Sequence, residues 1–264
     1  MKEHSTSNIQ PPAPKVSSAP LSFDVEGSRL NVECFPISNT WILLDSGQCS
    51  AAFNMALDEA LLETISQLGK PVLRFYGWTE PAATFGYFQK FSDVEKATPL
   101  RPLIRRPTGG GIVPHDADWT YSAVFPPGHE WHSLKAVESY RRIHDWLRLA
   151  FAELKVKTEL APDGKKSLPG RCFAGHEQFD LLWRGKKIAG AAQRRNQSGL
   201  LIQGSVQPPA ISVSRDDWEQ AMMAVAATRF EVGWQTGAPD AKLLAAANQL
   251  AAGKFSQNAY NQKR

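Results

Sequence analysis

Two short stretches concentrate the residue types that can do chemistry. RRPTGGGIVPHD, residues 105–116, holds Arg105 and Arg106, the run Gly109, Gly110 and Gly111, and His115. RCFAGHEQFDLLWRGKKIAGAAQRR, residues 171–195, sets Cys172 ahead of a basic, glycine-punctuated segment that contains Lys187. Two guanidiniums offer fixed positive charge to a carboxylate or phosphate. A glycine run lets backbone approach a ligand closely, because no Cβ intervenes. The run fits neither GxxxxGK[ST] nor a GxGxxG that opens a helix, so it reads as a tight turn or as a ligand-approach loop. A thiol of pKa about 8.5 is lowered by a nearby cation and raised by apolar burial. Arg184-Gly185 is a hairpin signal that carries Lys187 onto the following strand, where its ammonium can meet the thiol. The other reading makes Cys172 a small buried hydrophobe and Lys187 a solvated strand residue. His176, four residues after Cys172, ranks behind Lys187 as a base for that thiol.

Other motifs carry less. His129-Glu-Trp-His132 is one residue short of HExxH, so its imidazoles would not share a helix face, and no metal site is expected. Cys34 and Cys49 lie in or beside irregular segments without cation clusters and read as structural. Thirty basic against 26 acidic residues leave +4 spread along the chain, which suits an acidic protein partner and gives no argument for nucleic acid. No apolar run approaches 18 residues, so no membrane span is expected. MKEHSTSNIQPPAPKVSSAP has no apolar h-region, which points to a cytoplasmic protein with reduced thiols.

The elements that must position these residues follow from periodicity. Residues 1–35 are rich in Ser, Pro and Asn and read as a loosely ordered tail; 36–264 read as one domain. TWILLDSG opens the ordered part. In SAAFNMALDEALLETISQLG, Phe53, Leu57, Leu61 and Thr64 or Ile65 recur at helical spacing, and Gly69 stands where a helix would stop. PVLRFYGW, ATFGYFQ, PLIRR, GIVP and WTYSAVFPP read as short strands. SLKAVESYRRIHDWLRLAFAEL predicts a helix with Val137, Tyr140, His144, Leu147, Phe151 and Leu154 on one stripe. QFDLLWRG, KKIAGAAQRR and GLLIQGSVQ add three strands, and residues 216–230 and 240–255 predict closing helices. Without strict βαβ alternation, the pattern predicts an α+β fold with a mixed, mostly antiparallel sheet packed against helices.

These motifs also resemble a known family. AAFNMALDEALL, LRFYGWTEPAATFGYFQ, RRPTGGGIVPHDADWTYS, CFAGHEQFDLLWRGKKIAGAAQRR and GLLIQGSV, with the ending KFSQNAYNQKR, are similar in order and content to the lipoate–protein ligase, octanoyltransferase and biotin ligase superfamily over residues 40–264. Within it the Cys-Phe loop, the Gly-x-Lys-x-x-Gly-x-Ala-Gln strand and Thr120-Tyr121-Ser122 resemble the cysteine-dependent octanoyltransferases of the LipM type. The chain departs from that branch at Gly111, where arginine is frequent, at Trp119 in place of leucine, and at Ala191 in place of Ser or Asn.

The resemblance implies a biotin/lipoate ligase-type catalytic domain that moves octanoyl from acyl carrier protein to Cys172. From there the group passes to a lysine of a lipoyl domain, such as glycine cleavage H protein or a 2-oxoacid dehydrogenase E2. Cys172 is then the nucleophile and Lys187 the residue that lowers its pKa. Substrate contacts fall to Arg105, Arg106, Gly109, Gly110, Gly111, His115, Gly190, Ala191, Ala192 and Gly204. Exchanging one thioester for another needs no cofactor. The alternative is a lipoate ligase that uses ATP and Mg2+ and holds lipoyl-adenylate on Arg106, the glycine turn and Lys187. The small C-terminal domain common in ligases is not expected here.

Overall fold

The computed structural model describes residues 39–165 and 175–263. The expected tail, Cys34, Arg171 and Cys172 lie outside the described residues. Strand β1 (Thr40–Cys49) leads into helix α1 (Ala51–Leu68). The Ser50 hydroxyl accepts from the Phe53 N–H at the start of α1, and Gly69, at φ 66°, ends it with its N–H on the Ile65 carbonyl. There follow β2 (Val72–Trp78), β3 (Ala82–Phe85), α2 (Phe91–Ala97), β4 (Leu103–Arg105), β5 (Val113–His115) and β6 (Trp119–Phe125). A short α3 (Glu130–Ser133) precedes α4 (Ala136–Glu153), β7 (Glu159–Leu160), β8 (Leu181–Trp183), β9 (Lys186–Arg195) and β10 (Leu200–Val206). The described chain closes with α5 (Arg215–Arg229), β11 (Gly233–Gly237), α6 (Ala241–Leu250) and α7 (Asn258–Asn261).

Eight strands form one sheet in the order β11-β1-β2-β6-β10-β9-β8-β7, and β4-β3-β5 form a second. In the large sheet β1 runs parallel to β2 and β11, and all other pairs are antiparallel. This is the expected mixed, mostly antiparallel α+β fold. Period-2 alternation divides the core. Leu73, Phe75, Ala123, Phe125 and Ile202 pack with α4 and α5 on one face, around Trp146 and Trp218. Leu44, Val72, Val124 and Leu201 pack with α1 and α6 on the other.

The predicted helices and main strands recur within a few residues, with instructive differences. Val137 is 58% exposed, whereas His144, Leu147 and Phe151 of the predicted stripe are buried and are joined by Ile143, Trp146 and Ala150. That helix is wedged between β9 and α5, so its buried face is wider than a single stripe. The last predicted helix is regular only to Leu250 and widens to a π-turn over Ala251–Phe255. Strand β11 carries no apolar alternation, because it is a solvated edge strand.

On the α1 face one carboxylate is fully buried. Asp58 Oδ1 accepts from Arg74 Nη1 at 2.6 Å and Ser122 Oγ at 2.7 Å, and Oδ2 accepts from Gln203 Nε2 at 2.7 Å and Tyr76 OH at 3.1 Å. Donors from β2, β6 and β10 thus converge on one helix residue. Removing Asp58 strands Arg74, which is also fully buried. Asp58→Ala is expected to cost about 3–5 kcal/mol in urea denaturation, and Asp58→Ala/Arg74→Met to recover much of the loss. Equal midpoints for native and single variant would show that the pair does not hold the face together.

Candidate active site

A cleft opens on this same face, between the large sheet and the small one. Its floor is Tyr76, Thr120, Gln203, Gly204 and Ser205, with Met55 from α1 at one side. Lys187, Gly190, Ala191 and Ala192 of β9 form one wall; Thr84, Val113, His115, Arg106 and Gly110 form the other. The cavity it encloses is small, about 50 Å³.

The β9 wall is built by a hairpin and a bulge. Arg184 and Gly185 both have positive φ, which makes the tight turn between β8 and β9. Leu181 pairs with Ala189 but Leu182 with Lys187, so Ile188 is the extra residue of a β-bulge, the device that re-aims a side chain. Lys187 Nζ lies 2.8 Å from Asp180 Oδ2, with both side chains buried. Asp180 is itself fixed by the Tyr140 hydroxyl at 2.5 Å and the Glu177 N–H at 2.7 Å. Gly190 makes room for this pair: a Cβ there would stand 2.7 Å from Lys187 Cε and 2.8 Å from Nζ. Behind the pair, burial lowers the His144 pKa to about 4, so its imidazole is neutral near pH 7. Strand β8 pairs with β9 only between Lys186 and Ala189.

The opposite wall is a polar chain of one direction. Arg106 donates to the carbonyls of Gly109 and Gly111 at 2.6 and 2.8 Å, and to Thr84 Oγ1 at 3.3 Å. Thr84 Oγ1 is 2.8 Å from His115 Nε2, and His115 Nδ1 is 2.9 Å from Asp118 Oδ2. Trp78 stacks on the imidazole at 3.8 Å and donates from Nε1 to Thr120 Oγ1. Thr120 and Ser205 hydroxyls both donate to Asp118 Oδ2, at 2.9 and 2.7 Å.

Residues 50–208 match the lipoyl protein ligase A/B catalytic domain. The chain belongs to that family. It is 42% identical over 176 residues to octanoyltransferase LipM of Carboxydothermus hydrogenoformans and 40% over 184 residues to that of Anoxybacillus flavithermus. Each match covers 63% of this chain and 64% of the relative, so the chain spans just under two thirds of the length of these curated relatives. Its fold is that of lipoate-protein ligase A bound with ATP, with TM-score 0.70 and 21% identity over 85% of this chain and 98% of that one.

Within this lipoyl ligase-type domain the structure brings Arg106, Gly110, His115, Lys187, Gly190, Ala191, Ala192 and Gly204 to one cleft. Arg105 is not in its lining. Its guanidinium is fully buried and donates to the carbonyls of Asn261, Tyr87 and Gln89, so it ties α7 to the small sheet. Gly109 and Gly111 present their carbonyls to Arg106, and only Gly110, at φ 87°, lines the cleft. Gly204 has a packing reason as well: a Cβ there would fall 2.2 Å from the Tyr121 ring. His176 pairs through its backbone with Lys165 and stands 3.9 Å from Asp163, away from the lining residues. Cys49 donates to the Ser46 carbonyl.

Sequence reading passed over Thr84, Asp118 and Asp180. Asp118 follows His115 by three residues, but Asp116 stands nearer in sequence; only the turn between β5 and β6 shows which carboxylate the imidazole meets. Among the described residues no cluster of His, Cys, Asp or Glu that could hold a metal is found, and no helix is long and apolar enough to cross a membrane.

Two outcomes test this geometry. Gly190→Ala is expected to push the Lys187 ammonium off Asp180. Mass-spectrometric mapping of brief acetic anhydride labelling should show Lys187 modified faster than in the native chain; an unchanged rate contradicts the crossing. Between pH 6.5 and 4 the unfolded His144 takes a proton that the folded one refuses. Stability is therefore expected to fall as pH drops through that window, by on the order of 3 kcal/mol, and His144→Gln to flatten the slope in urea titrations at pH 7 and 5. A native slope retained in the variant would assign the pH dependence elsewhere.

Proposed function

We propose that this domain is an octanoyltransferase of lipoate synthesis that works in the cytoplasm, with residues 36–264 as its single catalytic unit. Octanoyl passes from acyl carrier protein to Cys172, then to a lysine on a lipoyl-domain protein such as glycine cleavage H protein or a 2-oxoacid dehydrogenase E2. The observation that carries this reading is the Lys187 ammonium, held by Asp180 in the wall of an apolar-sided cleft. It sits on β9, the second strand after the segment containing Cys172, in a chain about 40% identical to proteins named octanoyltransferase LipM.

The chemistry fits the parts. A fixed cation favours a thiolate over a thiol, and only four residues separate Cys172 from Glu177, whose N–H helps hold Asp180. Met55, Val113, Ala191 and Ala192 offer apolar lining to an acyl chain, at about 0.8 kcal/mol for each buried methylene. Backbone N–H groups at Gly110 or along β9 past Ala189 are the candidate donors to the tetrahedral oxyanion. Acyl-thioester exchange is close to energy-neutral and proceeds without ATP.

The test is transfer of octanoyl from acyl carrier protein to a purified lipoyl domain with no nucleotide present. The expected result is one octanoyl group on the lipoyl-domain lysine, with Lys187→Ala slower by about 10²-fold or more. Acylation only from free lipoate or octanoate with ATP, accompanied by pyrophosphate release, would overturn this reading in favour of a ligase.

A further inference from the structure

We propose that Thr84, His115 and Asp118 form a proton relay that removes the proton of the acceptor amine while the amide bond forms. The inference rests on the reading that this cleft acylates a protein lysine, and it names the base for that step.

A carboxylate only accepts, so the 2.9 Å contact to Asp118 puts the imidazole proton on Nδ1. Nε2 is then an acceptor, and the Thr84 hydroxyl donates to it at 2.8 Å. The Thr84 oxygen in turn has lone pairs directed away from His115, one of them met by Arg106 Nη1 at a long 3.3 Å. Thr84 and His115 both line the cleft, whereas Asp118 stands behind them. A hydroxyl, an imidazole and a carboxylate are thus aligned so that a proton taken up at the cleft surface moves inward to Nε2.

Asp118 is built to support a cation. Its Oδ2 is fixed by Ser205 and Thr120, while its Oδ1 is buried without a donor among the described residues. If the carboxylate served only to pin the turn between β5 and β6, an unmet buried oxygen would be a pure cost. Beside an imidazole it leaves negative charge that is strengthened by low dielectric and ready to stabilise imidazolium. Trp78, stacked at 3.8 Å, keeps the ring in plane. The other charged or titratable groups facing the imidazole are Arg106 from the loop after β4, Lys187 across the cleft on β9, and Tyr76 on β2. Asp118 is the carboxylate in contact with the ring.

The step balances as follows. The acceptor lysine enters neutral, having left one proton in solvent. Its nitrogen bonds to the acyl carbon, and the proton it sheds passes to Thr84 Oγ1 as the Thr84 proton moves to His115 Nε2. The carbon–sulfur bond breaks with its electron pair on sulfur. Imidazolium then releases its proton to solvent, which restores thiolate, neutral imidazole and hydroxyl. No oxidant, reductant or further reactant is consumed.

The experiment separates the half-reactions. Enzyme is loaded from octanoyl–acyl carrier protein, and single-turnover decay is followed by intact mass with either a lipoyl-domain lysine or hydroxylamine, a far weaker base whose adduct sheds its proton to water unaided. His115→Gln and Thr84→Val are both expected to slow lysine transfer by about 10²-fold or more at pH 7, with the deficit shrinking as pH rises. Decay with hydroxylamine is expected to slow far less, and Asp118→Asn to resemble His115→Gln because an amide removes the negative charge behind the ring. Equal slowing with both amines, or native lysine transfer in both variants, would overturn the relay alone. Absence of any acyl-enzyme on the native chain would overturn both the relay and the function on which it rests.

Discussion

Burying a carboxylate is unfavourable by several kcal/mol unless its charge is paired and its lone pairs are met, and the way Asp58 meets that demand organises the floor and one wall of the cleft. Its four donors come from β2, β6 and β10, so α1 can sit on the sheet in only one register. Two of those donors, Tyr76 and Gln203, are floor residues of the cleft. Gln203 passes the order on, accepting from the Thr108 hydroxyl at 2.7 Å and so fixing the loop that leads into the glycine run. Arg106 completes the path from that loop to Thr84. The polar lining of the Arg106–Thr84 wall is therefore tied to one buried charge beneath the floor.

The two walls share a design. On each, a group that must hold a proton or a charge faces the cleft, and a carboxylate fixes it from behind: Asp180 behind Lys187, Asp118 behind His115. Neither carboxylate lines the cleft. Each is oriented by hydroxyl or backbone donors, so the facing group loses little freedom when a substrate arrives. The glycines serve this arrangement by different means. Gly190 yields space to Lys187, Gly110 supplies a positive φ in the turn, and Gly204 admits the Tyr121 ring across the sheet.

Much of the fold was legible in the sequence. The end of α1 followed from Gly69, the β8–β9 hairpin from Arg184-Gly185, and the strands from apolar and β-branched runs punctuated by Gly and Pro, because local sterics decide each of these. Strand β11 and the extra buried positions of α4 were not, since an edge strand needs no apolar pattern and a helix wedged between two partners buries more than one stripe. At the site, Lys187, His115 and Arg106 were found by type and spacing, while Arg105, equal to Arg106 by those signs, proved to bind α7. Two adjacent side chains on a strand point to opposite faces, and sequence alone does not say which face is the cleft. Asp118 and Asp180 were missed for a related reason: a carboxylate acting from behind carries no motif of its own, and its partner is fixed only by the turn or bulge between them.

The central claim is that acyl transfer in this cleft runs through a thioester on Cys172. Intact mass of the full chain after mixing with octanoyl–acyl carrier protein, without ATP and beside a Cys172→Ala control, tests it most directly. The account predicts one hydroxylamine-labile octanoyl group on the native chain and none on the control. An adduct that persists in Cys172→Ala, or activity that the control retains in full, would contradict it.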